Sequence, residues 1–344
     1  MNLINISGNT FYIRGGTNTG LYLFDDNSAL IIDPGLSGAR PNKIIKILNE
    51  RNIELKYIIN THEHNDHFGA CSQFKEYYKD VEILSSEEAK LYIEKLELFS
   101  KYIMGGKSNI FMDEKLKNRS PKDISIDTVI TEGILSINNK KFEVFNFKGH
   151  TPGSIGVLTD DKVLFVGDLL VGEEMLSKYD FLFLFDIEEQ IKSLERIKNI
   201  DFEYMVIAHS KKFISKDESY KIIDKHKIAI DKYINQIRIY LNNPITIENI
   251  LKHIIVNNNL SHSYKEYHFF KSSLISLSKN KQFLISPVSL IYSSNSPKDS
   301  VIDSATITDP LGFPTLVLTA TVINSLSLVT GITPIPSLKF DELI

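Results

Sequence analysis

The chain has 344 residues, 42% of them hydrophobic, and a formal net charge of -4, which allows one large core or a core with a smaller appended domain. Its single cysteine, Cys71, excludes a disulfide within the chain and a zinc site made of several thiolates, and predicts a cytoplasmic location. The opening stretch M-N-L-I-N-I-S-G-N-T lacks the regions of a secretory signal, so no export is expected.

The first sixty residues alternate β-branched runs with turns. Residues 11–35 predict two or three strands joined at Gly15-Gly16 and Asp26-Asn27. Residues 42–52 have the spacing of an amphipathic helix, and L-K-Y-I-I-N reads as a buried strand. The stretch T-H-E-H-N-D-H-F-G-A, residues 61–70, follows directly.

The region up to residue 210 continues this alternation. Residues 86–104 and 186–198 predict helices, while F-E-V-F-N-F, I-G-V-L, K-V-L-F-V and Y-M-V-I-A predict strands. Strands and helices that alternate along a chain are typical of the α/β class. We therefore predict a mixed α/β domain over residues 1–215.

Residues 216–285 read as a second, helical unit of opposite charge. Residues 1–210 hold 24 Lys+Arg against 32 Asp+Glu, and residues 211–285 hold 13 against 6. A segment with a net charge of -8 is therefore followed by one with a net charge of +7. A basic segment beside a catalytic body can attract an anionic substrate, although solvated lysine-rich helices are the alternative interpretation.

The tail, residues 286–344, is rich in Ser and Thr and has no assigned role. A membrane span needs about 20 mostly apolar residues, and residues 311–332 reach that length only by including Ser, Thr, Asn, Gly and Pro. The composition therefore favours β-strands over a span. No membrane association is expected.

The cluster of His62, His64, Asp66 and His67 carries the chemistry. Offsets of 0, 2, 4 and 5 suit a short loop and not one face of a helix. The zinc-protease motif H-E-x-x-H is excluded, because Asp66 stands where its second histidine is required. Imidazole and carboxylate are the ligands that zinc accepts without thiolates, so the cluster predicts a metal site. The isolated histidines of the helical part are interpreted as structural: His226, His253, His262 and His268.

Three further candidate ligands each follow a predicted strand. His150 lies in G-H-T-P-G-S, where Pro152 keeps Thr151 extended. Asp168 ends the run K-V-L-F-V-G-D, and His209 ends Y-M-V-I-A-H. Side chains held at strand ends are well placed to complete the site.

These motifs, in this order, resemble the metallo-β-lactamase superfamily over residues 5–215. The resemblance implies a four-layer αββα sandwich, here with a C-terminal helical, winged-helix-like extension. It also implies two divalent metals with these ligands: His62, His64 and His150 for one, Asp66, His67 and His209 for the other, and Asp168 bridging both.

The resemblance further implies hydrolysis by a hydroxide that bridges the two metals, with Asp66 as the catalytic residue that orients it. Asp33, in L-I-I-D-P-G, is expected to orient a ligand, a plain turn role being the alternative. His64 stands where oxygen-reducing relatives carry an acid, which disfavours redox chemistry. Zinc is expected, with iron or manganese as alternatives.

The motif set and helical tail resemble the glyoxalase-II-like hydrolases, which implies a small anionic or acyl substrate such as a thioester or lactone. Lys211, Lys212 and Tyr179 are the substrate-binding candidates. A phosphodiesterase or ribonuclease of the same fold is the first alternative, since the helical part is basic and residues 244–285 resemble a winged helix. A metal-containing regulatory protein is the second. The oligomeric state stays open.

Overall fold

The computed structural model describes residues 2–104, 106–107, 123–241, 245–261, 263–278, 305–308 and 314–318. The chain divides into two compact units, Met1–Pro287 and Val288–Ile344. The division into residues 1–215, 216–285 and 286–344 stays a prediction.

The first sheet of the larger unit has seven strands in chain order. Its first four strands pair antiparallel and the last four pair parallel. Parallel neighbours need crossovers, which here are helices. The strands are β1 (Leu3–Ser7), β2 (Thr10–Ile13), β3 (Thr19–Leu23), β4 (Ser28–Ile32), β5 (Glu54–Ile59), β6 (Glu82–Ser85) and β7 (Thr128–Val129).

The second sheet has six strands in the order β13-β12-β11-β10-β9-β8. All neighbours are antiparallel except β11 and β12, which run parallel. The strands are β8 (Gly133–Ile137), β9 (Lys140–Asn146), β10 (Ile155–Leu158), β11 (Val163–Phe165), β12 (Tyr204–Val206) and β13 (Ile214–Ser215).

Ten helices fall within the described residues. They are α1 (Ala39–Asn49), α2 (Asn65–Phe68), α3 (Cys71–Tyr77), α4 (Glu87–Glu94), α5 (Leu96–Met104), α6 (Glu173–Leu176), α7 (Ile187–Ile197), α8 (Lys216–Tyr240), α9 (Ile247–Asn257) and α10 (Tyr264–Ser278). Helix α1 buries Ile44, Ile45 and Leu48, the apolar positions whose spacing predicted it.

Three clusters of buried hydrophobic side chains form most of the core of the described residues. Tyr22 and Leu30 of the first sheet pack with Phe142 and Val157 of the second, so the sheets lie face to face. Outside them, α1 and α3 pack on the first sheet, and α7 and α8 pack on the second. The four-layer αββα prediction is confirmed.

Helices α8 to α10 extend the outer layer on the second-sheet side. Ile250 and Leu251 of α9 and Leu274 of α10 are buried in the same cluster as Leu194 of α7. Helix α8 begins with a capping box between Ser215 and Glu218, which satisfies two free backbone donors. The helical extension is confirmed, and the described part of 216–278 consists of three helices and short connections without a strand.

Two local elements differ from their predicted form. The cluster was predicted as a loop, yet Asn65–Phe68 forms one helical turn, because the backbone bonds back to His64. The helix predicted over 86–104 breaks at Lys95 into α4 and α5. In the smaller unit β14 (Ala305–Thr308) pairs antiparallel with β15 (Pro314–Leu318), and the β character of the tail as a whole stays a prediction. Its remaining residues lie outside the described part.

Among the described residues, no helix combines the length and the apolar character that crossing a bilayer requires.

Candidate metal centre

The segments that carry the site residues follow strands. Asp33 follows β4, His62 follows β5, His150 follows β9, Asp168 follows β11 and His209 follows β12. Gly167, with φ of 53°, lets the chain turn just before Asp168. Any other residue at position 167 would place its Cβ atom 2.5 Å from the Thr61 hydroxyl. The two sheets thus bring distant parts of the sequence to one rim.

Seven side chains converge there in two groups that share Asp168. Within each group, one ligand atom per residue lies within 4.8 Å of all the others. The first group is His62, His64, His150 and Asp168, and the second group is Asp66, His67, Asp168 and His209. The structure therefore brings together every residue that the sequence proposed as a ligand.

Asp168 lies between the two groups. Its Oδ2 is 3.9 Å from His62 Nε2 and 3.6 Å from His150 Nε2. The same atom is 3.3 Å from His209 Nε2, and its Oδ1 is 3.3 Å from His67 Nε2. The carboxylate is nearly buried, with 9% of its side chain exposed.

The remaining contacts have similar lengths. His64 Nδ1 is 3.0 Å from His150 Nε2. Asp66 Oδ2 is 3.1 Å from His209 Nε2 and 3.9 Å from His67 Nε2. An ion about 2.0–2.2 Å from each ligand atom would produce such separations, since tetrahedral ligands then lie roughly 3.4 Å apart.

The donor atoms also fit a pair of divalent ions. The buried Nε2 atoms of His62 and His67 and Oδ1 of Asp168 have no hydrogen-bond partner in the part of the chain that the structure describes. Buried polar atoms normally have one, and metal coordination accounts for its absence. Because imidazole and carboxylate suit several transition metals, the ligands fit divalent ions without selecting one.

Outer contacts fix the rings so that one nitrogen faces the centre. A ligating histidine typically donates its other N–H to a carbonyl or carboxylate, which sets its tautomer. The contacts from Nδ1 are His209 to Gly16 O at 2.7 Å, His150 to Phe183 O at 3.0 Å, and His67 to Asp33 Oδ2 at 2.8 Å.

Asp33 has the geometry expected of an orienting carboxylate. It is 2% exposed and accepts three hydrogen bonds, at 2.8 Å from Thr61 N, 2.7 Å from Thr61 Oγ1 and 2.8 Å from His67 Nδ1. Its φ of 55° is a left-handed conformation that Asp tolerates better than most residues. Asp33 therefore has both proposed roles, since it adopts a turn conformation and also orients the His67 ring.

The electrostatics of the groups differ. Burial lowers the pKa of His62, His64 and His150, which favours the neutral form of these imidazoles. Asp168 raises the pKa of His209 to about 11. Burial opposes the charge of His67, but Asp168 and Asp33 outweigh it and raise that pKa to about 10.

Asp66, the predicted catalytic residue, lies on the open side. Burial disfavours its charged form, yet His209 and His67 outweigh burial and hold the pKa of its carboxyl below the usual range. Its side chain is 31% exposed, more than that of Asp168. Thr17 Oγ1 lies 3.4 Å from Asp66 Oδ2.

Glu63 is a buried residue beside the site to which the sequence motifs assign no role. It is 2% exposed, and burial raises the pKa of its carboxyl to about 7. Its partners are Thr151 and Gly153, in the loop of His150. No local pattern in T-H-E-H predicts a partner nearly ninety positions away.

His226 was interpreted as structural, and the structure gives it a specific contact. Its Nδ1 donates to Ile222 O at 2.8 Å, and its Nε2 accepts from Val171 N at 3.0 Å. Val171 lies three residues after Asp168, so helix α8 holds the loop that carries the shared ligand.

Aromatic rings pack on the side of the first group. The ring of His64 lies 5.1 Å from that of Phe99 and 5.7 Å from that of Phe183, and Phe269 lies 5.0 Å from Phe183. Helices α5 and α10 supply two of these rings. The surroundings of the first group are therefore apolar.

A charged cleft of about 1120 Å³ adjoins the second group at His209. Lys211 and Lys212, both substrate-binding candidates, line it, but Lys211 pairs with Glu174 and Lys212 Nζ lies 2.7 Å from Glu218. The remaining charged lining residues are Arg14, Glu173, Lys221 and Lys225.

The third substrate-binding candidate lies elsewhere. Tyr179 is 58% exposed on the chain after α6 and is not among the cleft-lining residues. Its neighbour Phe181 is buried against Tyr233, with ring centroids 4.3 Å apart, and is a core residue. The role of all three candidates in binding stays a prediction.

A sandwich with seven convergent His and Asp side chains at one rim is the framework of a metallohydrolase. Residues 12–209 match the family model described as the metallo-beta-lactamase superfamily, and the chain belongs to that superfamily.

Two relatives are hydroxyacylglutathione hydrolases. The chain is 32% identical over 155 residues to hydroxyacylglutathione hydrolase GloC of Haemophilus influenzae, covering 44% of this chain and 66% of that protein. It is 26% identical over 184 residues to the hydroxyacylglutathione hydrolase of Prochlorococcus marinus, covering 53% and 59%. The chain thus spans less than two thirds of either relative. The family and these relatives confirm the predicted glyoxalase-II-like resemblance.

A beta-lactamase domain protein from Burkholderia ambifaria has the same fold. Its solved structure superposes with a TM-score of 0.66 at 16% identity and covers 83% of this chain and 90% of its own.

Proposed function

We propose that the protein is a metal-dependent hydrolase of small acyl substrates, thioesters first, which holds two divalent ions, zinc first, between its two ligand groups. The observation that carries this proposal is the convergence of seven His and Asp side chains in two groups that share Asp168. A structural zinc site is normally closed by four protein ligands, whereas a shared pair of groups leaves positions for water and substrate.

When bound, such ions supply an activated water near neutral pH and polarise the carbonyl of the substrate. The chain's own part is to orient and to move protons. The low pKa of Asp66 favours its carboxylate form, and 31% of its side chain is exposed, so it can accept a hydrogen bond from the attacking water. Water adds to the carbonyl carbon, the C–S bond breaks, and the water's proton passes to the leaving thiolate.

The cleft beside His209 supports a substrate with an anionic end. Lys211, Lys212 and Lys225 each have a glutamate partner. Arg14 and Lys221 also line the cleft, and neither has an ion-pair partner among the described residues. Positive charge without a partner in a concave surface attracts anions. The names of the relatives support a thioester of an anionic thiol, and the single cysteine supports a cytoplasmic location.

The test combines metal content with activity. Elemental analysis of protein never exposed to a chelator is expected to give about two transition-metal ions per chain. Hydrolysis of a thioester, a lactone and a short RNA is then compared for wild type, Asp66→Asn and the control Asp201→Asn, which changes an exposed aspartate paired with Lys162. We expect thioester cleavage that only Asp66→Asn abolishes.

Other outcomes would redirect the proposal. Cleavage of RNA alone would make the protein a phosphodiesterase whose basic helices guide nucleic acid. Bound metal with no cleavage of any of the three would favour a regulatory protein. A protein that neither carries nor takes up a transition metal would contradict the proposal at its root.

A further inference from the structure

Glu63 lies between two candidate ligands and faces away from the centre. His62 and His64 both contribute ligand atoms to the first group, and their rings lie 4.7 Å apart. Glu63 is not a member of either ligand group, and its carboxylate bonds instead to Thr151 and Gly153. Protein encloses it there, since Glu63 is 2% exposed.

The carboxylate of Glu63 bonds to the loop that carries the third histidine of the group. Thr151 Oγ1 donates to Oε2 at 2.9 Å, and Gly153 N donates to Oε1 at 3.3 Å. Thr151 is in turn held by Ser154, with 2.8 Å between their hydroxyl oxygens. Thr151 directly follows His150, so one side chain connects the two segments that supply all three histidines.

Gly153 is shaped to this contact. A Cβ atom there would lie 2.6 Å from Glu63 Oε2 and 2.4 Å from the backbone nitrogen of Ala89. A larger residue would therefore displace the carboxylate or α4. Burying a carboxyl costs free energy, and no lysine or arginine forms an ion pair with Glu63 among the described residues, so its hydrogen bonds must offset that cost.

We propose that Glu63 is a positioning residue that clamps the His62–His64 segment to the His150 loop and thereby sets the metal affinity of the first group. This inference rests on the proposed function only in that the centre holds metal ions. Partners outside the ligands commonly change metal affinity by about 10–100-fold. The effect should be confined to the first group, because among the described residues the hydrogen bonds of the Glu63 carboxylate go to Thr151 and Gly153 in the His150 loop, and no hydrogen bond or ion pair joins it to Asp66, His67 or His209.

The fold is expected to survive loss of the clamp. The two segments are also joined by the backbone bond from Ile155 N to Thr61 O at 2.8 Å, and Ser86 Oγ donates to Gly153 O at 2.7 Å. Glu63→Gln keeps the size of the side chain but removes one of its two acceptor oxygens. Thr151→Val removes the same hydrogen bond from the other partner and serves as a second variant.

The experiment measures zinc affinity by competition with a chromophoric chelator. Wild type, Glu63→Gln, Thr151→Val and the double variant are compared with Glu88→Gln, which removes a carboxylate bonded to Lys148 at 2.6 Å on the adjoining helix α4. His150→Ala and His209→Ala, each lacking a ligand of one group, identify which binding step belongs to which group.

We expect Glu63→Gln and Thr151→Val to weaken zinc binding at the first group by about tenfold, with the double variant no weaker than the more affected single one. Unchanged affinity, or an equal loss at both groups and in Glu88→Gln, would overturn the inference. If the wild type binds zinc but does not cleave the thioester, the proposed function is contradicted. The zinc affinities of the variants would still test the role of Glu63. Absence of wild-type zinc binding would contradict both.

Discussion

The first and second ligand groups share Asp168 but have opposite surroundings. Besides Asp168, the first contains three histidines whose pKa burial lowers, and it lies beside Phe99 and Phe183. The second has two carboxylates, histidines of raised pKa and a charged cleft at its edge. One wall of the site is apolar and the other is charged.

This difference separates two tasks within one centre. Carboxylates add negative charge to the second group, which strengthens attraction for a cation but also for protons. The neutral imidazoles of the first group depend more on exact placement, because little net charge compensates for a misplaced ring. We therefore expect the first group to respond to changes in packing and clamping, and the second to changes in charge.

The largest effect is expected where the groups meet. Asp168→Asn removes the charge that both groups share, and metal content should fall from about two ions to one or none. Thioester hydrolysis should drop by more than the roughly 10–100-fold typical of an outer partner. Elemental analysis and initial rates measure both, with Asp201→Asn as the control. Retention of two ions would mean that the groups are independent.

A smaller, one-sided effect is expected from Asp33. Asp33→Asn weakens the acceptor that orients His67, so affinity at the second group should fall by about 10–100-fold while the first is unchanged. Zinc titration measures this. The matched control is Asp161→Asn, since Asp161 accepts from Asn9 N and Thr10 Oγ1 at 2.8 Å and belongs to neither ligand group. Equal losses at both groups would contradict the separation.

Much of this centre could be predicted from local sequence. Three histidines within six residues demanded a metal, and strand-like runs ending at His150, Asp168 and His209 placed the remaining ligands at one rim. Helix α1 and the main strands followed from apolar periodicity, because burial on one face leaves a regular spacing. The four-layer architecture came from the resemblance of the ordered motifs.

Contacts between distant positions could not be predicted. Glu63 meets Thr151 across 88 positions and His226 meets Val171 across 55, and neither residue has a neighbouring pattern that reveals its partner. Lys211 looked free in the sequence, since its partner Glu174 comes from another segment. The helical turn at Asn65–Phe68 depends on backbone hydrogen bonds to His64 O. The spacing of the side chains along the sequence does not determine those bonds.

His226 predicts a pH-dependent stability that acts on both groups through the Asp168 loop. Burial lowers its pKa to about 4, from an ordinary 6.5, so the unfolded chain binds a proton more readily than the folded one between these values. Stability is therefore fully present above pH 6.5 and declines as the pH falls toward 4. The loss is about 3 kcal/mol over that window.

Urea unfolding at pH 7.5 and 4.5, with a chelator in all samples so that metal loss does not contribute, measures this effect. His226→Gln keeps an acceptor near Val171 N but does not titrate. Between pH 7.5 and 4.5, we expect the free energy of unfolding to fall in both proteins. The fall in His226→Gln should be smaller than the fall in wild type by about 2–3 kcal/mol. The exposed His253→Gln should behave as wild type. If the free energy of unfolding falls equally in wild type and His226→Gln, His226 is not the source of the pH dependence.

The smallest effect is expected at the edge of the charged cleft. Arg14→Gln removes a cation without a described ion-pair partner, and such exposed charges are worth about 0.2–1 kcal/mol. The KM for a thioester of an anionic thiol should rise by about 1.5–5-fold with kcat unchanged, and the difference should shrink as salt is added. Lys252→Gln, on an exposed position of α9, is the control. If KM rises equally for a neutral thioester with the same acyl group, Arg14 contributes packing and not charge.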